Sequence, residues 1–180
     1  MGEIKSTLEL VMEKTKGIAI SEDEKREMKK KEILQKATAL SNRYREGQIP
    51  LGHVLKEIEK MEEKTATEVR ELLLSQWIDG LSLSGGNERL LEGIEVLGHR
   101  EIEDVRQEFR RLLSECERER EEGKMQAQSR IAEILRQEGI EGSAVEPNPE
   151  RSDLWQEGRR RLDLIYGKKL QKIKNELRTS

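Results

Sequence analysis

The sequence predicts an all-α protein of about five amphipathic helices, arranged as long antiparallel helical hairpins or an extended bundle with coiled-coil-like seams. Charged residues make up 39% of the 180-residue chain and aromatic residues only 3%, whereas β-strands favour aromatic and β-branched residues. Proline occurs only at positions 50, 147 and 149, so long stretches lack a helix breaker. Apolar residues recur every three to four positions, which is the spacing of one helix face. Narrow apolar stripes on charged helices indicate a thin core.

The first two predicted helices are bounded by glycine and by a capping pattern. The first covers about residues 2–16 and ends at Gly17, a residue type that favours the left-handed helix cap. Ser21 followed by Glu24 has the spacing of a capping box and predicts the start of the second helix. That helix reaches about residue 46. Its apolar stripe is Ile33, Ala37, Leu40 and Tyr44.

Three longer helices follow in the prediction. The third covers about residues 50–80, with a kink expected near Thr65–Thr67 where the apolar stripe weakens. The fourth covers about 88–137, and Gly123 is either a hinge or an ordinary helix position within it. The last covers about 152–177. Short turns between helices force neighbours to run antiparallel.

The predicted domain organisation is one domain with four regions. Residues 1–80 form an N-terminal helical hairpin region, and residues 81–138 form a long central helix. Residues 139–151 form a loop rich in glycine and proline, because these residue types exclude a regular helix. Residues 152–180 form a basic C-terminal helix.

No catalytic, cofactor or metal site is predicted. Cys116 continues an apolar stripe and is flanked by acidic residues, which disfavour the reactive thiolate. His53–Glu57 and Glu95–His99 are i,i+4 pairs, whereas a di-iron bundle uses Glu-x-x-His. The sequence therefore predicts a protein that is not an enzyme and has no cofactor, with a metal-binding bundle as the least favoured alternative.

Charge is divided unequally along the chain. Residues 159–178 contain eight basic and two acidic residues, whereas residues 84–150 contain seventeen acidic and ten basic ones. The basic helix could dock on the acidic fourth helix of the same chain, on a second copy, on an acidic partner or on nucleic acid. The candidate partner-binding residues are Trp155, Arg159, Arg160, Arg161, Tyr166, Lys168, Lys169 and Lys172.

These observations predict a helical scaffold or protein–protein interaction protein that self-associates, because thin-cored helices gain stability when a second chain covers their apolar stripes. A nucleic-acid-associated protein that uses the basic C-terminal helix is the alternative. A single cysteine and the lack of a signal-peptide pattern favour the cytoplasm. No apolar run approaches the roughly 18 residues of a membrane span, so no membrane insertion is expected.

Overall fold

The computed structural model describes residues 21–140 and 148–179, and it confirms the all-α class. These residues form six α-helices and no strand. A 3-10 turn, Pro149–Arg151, precedes the last helix. The helices are α1 Glu22–Arg45, α2 Leu51–Glu59, α3 Glu63–Gly80, α4 Glu88–Gly98, α5 Glu103–Gln137 and α6 Asp153–Thr179. The predicted helix over residues 2–16 lies outside the described residues, as does most of the predicted loop.

The chain divides into two compact units, Met1–Leu72 and Leu73–Ser180. In the first unit, α1 begins at the predicted capping box. The Ser21 N–H donates to Glu24 Oε2 at 2.8 Å, and the Glu24 N–H donates to Ser21 Oγ at 3.1 Å. The four stripe residues from Ile33 to Tyr44 are buried, as their spacing predicts.

The third predicted helix is two helices, with the break at residues 60–62 rather than at the two threonines. Val54 and Ala66 are both buried, yet twelve residues would place them about 120° apart on one straight helix. The break at residues 60–62 lets the side chains of both Val54 and Ala66 face the core. The expected kink near Thr65–Thr67 is wrong, because Thr67 Oγ1 donates to the Glu63 carbonyl at 3.0 Å within a regular first turn of α3.

The fourth predicted helix is also two helices, which separate at His99. Leu97 and Ile102 are both buried, although five residues place them about 140° apart on a continuous helix. His99 takes the left-handed conformation, with φ 49° and ψ 41°, and the Arg100 N–H donates to the Glu95 carbonyl at 3.3 Å. This is the geometry that ends helices at a left-handed residue.

Helix α5 then runs without interruption through Gly123, so Gly123 is not a hinge. A Cβ at this position would lie 3.2 Å from Cζ3 of Trp155, which is tighter than ordinary van der Waals contact. The missing side chain lets the indole of α6 approach the backbone of α5. Glycine here serves close packing between the two helices rather than bending.

The second unit contains another contact of this kind. Trp77, near the end of α3, is fully buried, and a Cβ on Gly93 of α4 would lie 2.6 Å from its Cε3. The end of α3 is also tied to α6. Lys174 Nζ donates to the Asp79 carbonyl at 2.7 Å, and Arg178 pairs with the Asp79 carboxylate.

Candidate interaction surface on the helical hairpin

Helices α5 and α6 form an antiparallel hairpin in the second unit. Arg120 Nη2 donates to Asp163 Oδ1 at 2.5 Å, and Lys169 Nζ lies 3.8 Å from Glu115 Oε2. From Glu115 to Arg120 the residue number increases along α5, whereas the paired residues on α6 decrease from Lys169 to Asp163. The two helices therefore run antiparallel. The basic C-terminal helix therefore packs on the acidic fourth predicted helix of its own chain, one of the four arrangements that the charge pattern allowed.

The line of buried residues between α5 and α6 contains both aromatic candidates for partner binding. Trp155 is 9% exposed and Tyr166 is 1% exposed. Burial raises the pKa of Tyr166 to about 12, and the nearby carboxylates of Glu119 and Glu115 add to the shift. Both rings therefore hold the hairpin together and are not on its outer surface.

The six basic candidates are exposed on α6, but they differ in their partners. Arg159 lies 4.0 Å from Asp163, and Lys169 stands over the Tyr166 ring at 4.6 Å from its centroid. The other four have no ion pair with any residue that the structure describes. They are Arg160, Arg161, Lys168 and Lys172.

Three of these free cations share one exposed face of α6 with two apolar residues. The spacings of 7, 4, 3 and 4 residues place all five on one side of a helix. Leu154 is 54% exposed and Ile165 is 45% exposed. We call this row the basic stripe. Its members are Leu154, Arg161, Ile165, Lys168 and Lys172.

A second row of like spacing follows α5, with glutamates at intervals of 7, 4 and 3 residues. Glu108 and Glu122 are exposed, and Glu115 and Glu119 are half-buried. We call this row, Glu108, Glu115, Glu119 and Glu122, the acidic stripe. Residue counts identified this region as acidic but did not assign the glutamates to a helix face. The intervals of 7, 4 and 3 residues are the signal that indicates one face.

The two stripes lie side by side on one broad face of the hairpin. Glu115 of the acidic stripe reaches Lys169, which borders the basic stripe. At the end of the hairpin where α6 begins, both stripes border a cleft of about 660 Å³. The residues that line it include Glu119, Glu122, Leu154, Trp155 and Arg161. The face therefore has an acidic half, a basic half and exposed apolar side chains within the basic half.

Within residues 21–140 and 148–179, no three His, Cys, Asp or Glu side chains are placed to hold a metal ion. Cys116 is buried in the hairpin, and burial raises the pKa of its thiol. His99 forms the end of α4. Among the described helices, none is both long and apolar enough to cross a membrane.

The chain matches no protein-family model, no curated protein and no solved structure at a significant level.

Proposed function

We propose that this protein is a non-enzymatic helical scaffold that works through helix–helix contacts and associates with itself. The observation that supports the proposal is the outer face of the α5–α6 hairpin. It exposes Leu154 and Ile165 to water beside three cations that have no ion pair in the described part of the chain. Exposed apolar side chains that are grouped and rimmed by polar groups are typical of interaction sites.

The energetic reason is the thin core of the hairpin. Each helix buries one stripe against its neighbour and leaves much of its remaining surface in water. Covering apolar side chains with a second hairpin contributes roughly 25 cal/mol for each Å² removed from water. A second chain can supply this area without any change in the fold of the first.

Size-exclusion chromatography with light scattering on the full chain tests the proposal. At tens of micromolar we expect a mass of twice the 20.9 kDa of one chain, or a higher multiple. The mass should fall toward one chain on dilution, because association is a mass-action equilibrium. A mass of one chain at every concentration would contradict self-association.

A nucleic-acid-associated function is the second candidate, and the exposed, unpaired cations of α6 favour it. Such a protein should retard duplex or single-stranded nucleic acid in a gel at low salt, since phosphate contacts weaken steeply as salt rises. Reversing Arg159, Arg160 and Arg161 to glutamate should abolish the retardation. Retardation that survives this reversal, or none in the wild type, would remove the candidate.

A further inference from the structure

We propose that the partner of the two stripes is a second copy of this chain, bound so that the basic stripe of each copy lies over the acidic stripe of the other. The inference rests on the proposed self-association and names the face and the geometry that produce it. Three observations carry it. The stripes have opposite charge, they lie on one face, and Arg161 and Lys168 are seven residues apart, as are Glu115 and Glu122.

Symmetry selects one of the two simple ways of stacking this face on itself. Soluble homodimers are most often related by a twofold axis, with the same patch used by both copies. An axis across the hairpin would place the acidic stripe on the partner's acidic stripe and bring like charges together. An axis parallel to the helices exchanges the two halves, so that each acidic stripe meets a basic one. Electrostatic complementarity therefore favours the parallel axis.

The register of the hairpin fixes which residues then meet. The contacts across the hairpin show that Asp163 lies at the same height along the helix axes as Arg120, and Lys169 at the same height as Glu115. Arg161 is thus level with Glu122, and Lys168 is level with Glu115. A twofold axis parallel to the helices preserves these heights, so Arg161 of one copy faces the partner's Glu122.

The same reasoning extends the contact along the face. Lys168 faces the partner's Glu115, and Lys172 lies about one helical turn along from the partner's Glu108. Ile165 lies between Arg161 and Lys168, and Leu154 lies one stripe position beyond Arg161. Both lose exposure to water on pairing. The arrangement has the general make-up of a specific interface, in which apolar groups are covered and polar groups fix the register.

A charge-swap experiment tests this pairing on the full chain. One variant, Arg161→Glu/Lys168→Glu/Lys172→Glu, makes both stripes acidic. A second variant, Glu108→Lys/Glu115→Lys/Glu122→Lys, makes the acidic stripe mainly basic, so that both stripes carry positive charge. Each variant alone should be mainly monomeric where the wild type is dimeric, with a dissociation constant raised at least about tenfold, because attraction between the stripes becomes repulsion.

An equimolar mixture of the two variants should restore the dimer, because each copy then meets the opposite charge on both of its stripes. Arg160→Glu is the matched control. Arg160 is an exposed, unpaired cation one residue from Arg161 and lies off the basic stripe. The Arg160→Glu variant should keep the mass of the wild-type dimer, whereas Arg161→Glu alone should weaken the dimer. Circular dichroism of every variant shows that the helices are retained.

The outcomes separate this inference from the proposed function. A wild-type dimer that both variants leave intact, or a mixture that stays monomeric, would overturn the stripe pairing while self-association stands. A wild type that is monomeric at every concentration would overturn both. Binding of duplex DNA by a monomeric wild type, lost in the triple reversal, would assign the basic stripe to nucleic acid instead.

Discussion

At the scale of single residues, two tryptophans determine how closely the helices of the second unit approach. Trp77 rests on Gly93, and Trp155 rests on Gly123. Both rings are buried. The sequence did not indicate that a glycine on a neighbouring helix makes room for each ring, because that pairing depends on tertiary packing.

Gly93→Ala should destabilise the protein. The added methyl group would lie 2.6 Å from Cε3 of the buried Trp77 ring, and forcing extra volume into a packed core costs about 1–3 kcal/mol. Urea unfolding followed by circular dichroism measures the change. Gly167→Ala is the control, since nothing lies within 4 Å of a Cβ there and alanine favours the helix by up to about 1 kcal/mol. Equal stability of the two variants would contradict the close contact.

Tyr166 should make the protein lose stability in alkaline solution. Its pKa is raised from 10.0 to about 12 in the fold, so above pH 10 the unfolded chain loses the proton while the folded chain keeps it. The stabilisation is fully present below pH 10 and disappears as the pH rises toward 12. The loss is about 2–3 kcal/mol at about 1.4 kcal/mol per pKa unit.

The comparison of wild type with Tyr166→Phe isolates this effect from other alkaline titrations. The free energy of unfolding of the wild type should fall more steeply between pH 10 and 12 than that of the variant. Ultraviolet absorbance of tyrosinate provides a second measurement. Parallel stability curves for the two proteins would show that the hydroxyl titrates alike in the folded and unfolded states.

At the scale of helices, the sequence predicted starts and caps better than internal breaks. The capping box at Ser21 and the single long helix at the C-terminus are both present. The breaks after Glu59 and Gly98 were missed, since neither is marked by proline. The signal was geometric, in the twelve- and five-residue spacings of buried residues that one straight helix cannot place on the same face.

Ser21→Ala should loosen the start of α1. It removes the acceptor of the Glu24 N–H, and loss of an N-cap serine costs about 1 kcal/mol. Hydrogen exchange of the backbone amides in the first turns of α1 should quicken. Ser129→Ala, an exposed change in the middle of α5, should leave exchange in α1 as it is. Unchanged protection in the Ser21 variant would mean that the capping box does not limit fraying.

At the scale of the whole molecule, the net charge and the arrangement of the charged residues lead to different expectations about a partner. The chain has a formal net charge of -3, which by itself suggests no partner. The hairpin sorts part of this charge into two stripes of opposite sign on one face. Residue counts predicted an acidic central region and a basic last helix, but which charges share a face follows from helix spacing together with the antiparallel register.

Salt should weaken the dimer. Between about 0.1 M and 1 M salt the Debye length falls from about 10 Å to about 3 Å, so exposed charges attract less strongly. Sedimentation equilibrium should show a dissociation constant that rises across this range for the wild type. The equimolar mixture of charge-swapped variants should respond in the same direction. A dissociation constant that stays constant or falls would indicate apolar association without the stripes.

The buried position of Cys116 has a practical consequence for spectroscopy. Its thiol is 1% exposed and its pKa is raised, so maleimide reagents should react far more slowly with it than with a thiol at the surface. A cysteine introduced at position 160, which is exposed and off the basic stripe, could then be tagged selectively with a nitroxide while the native residue stays in place. Pulsed electron resonance on such a sample would report the separation of two equivalent labels directly.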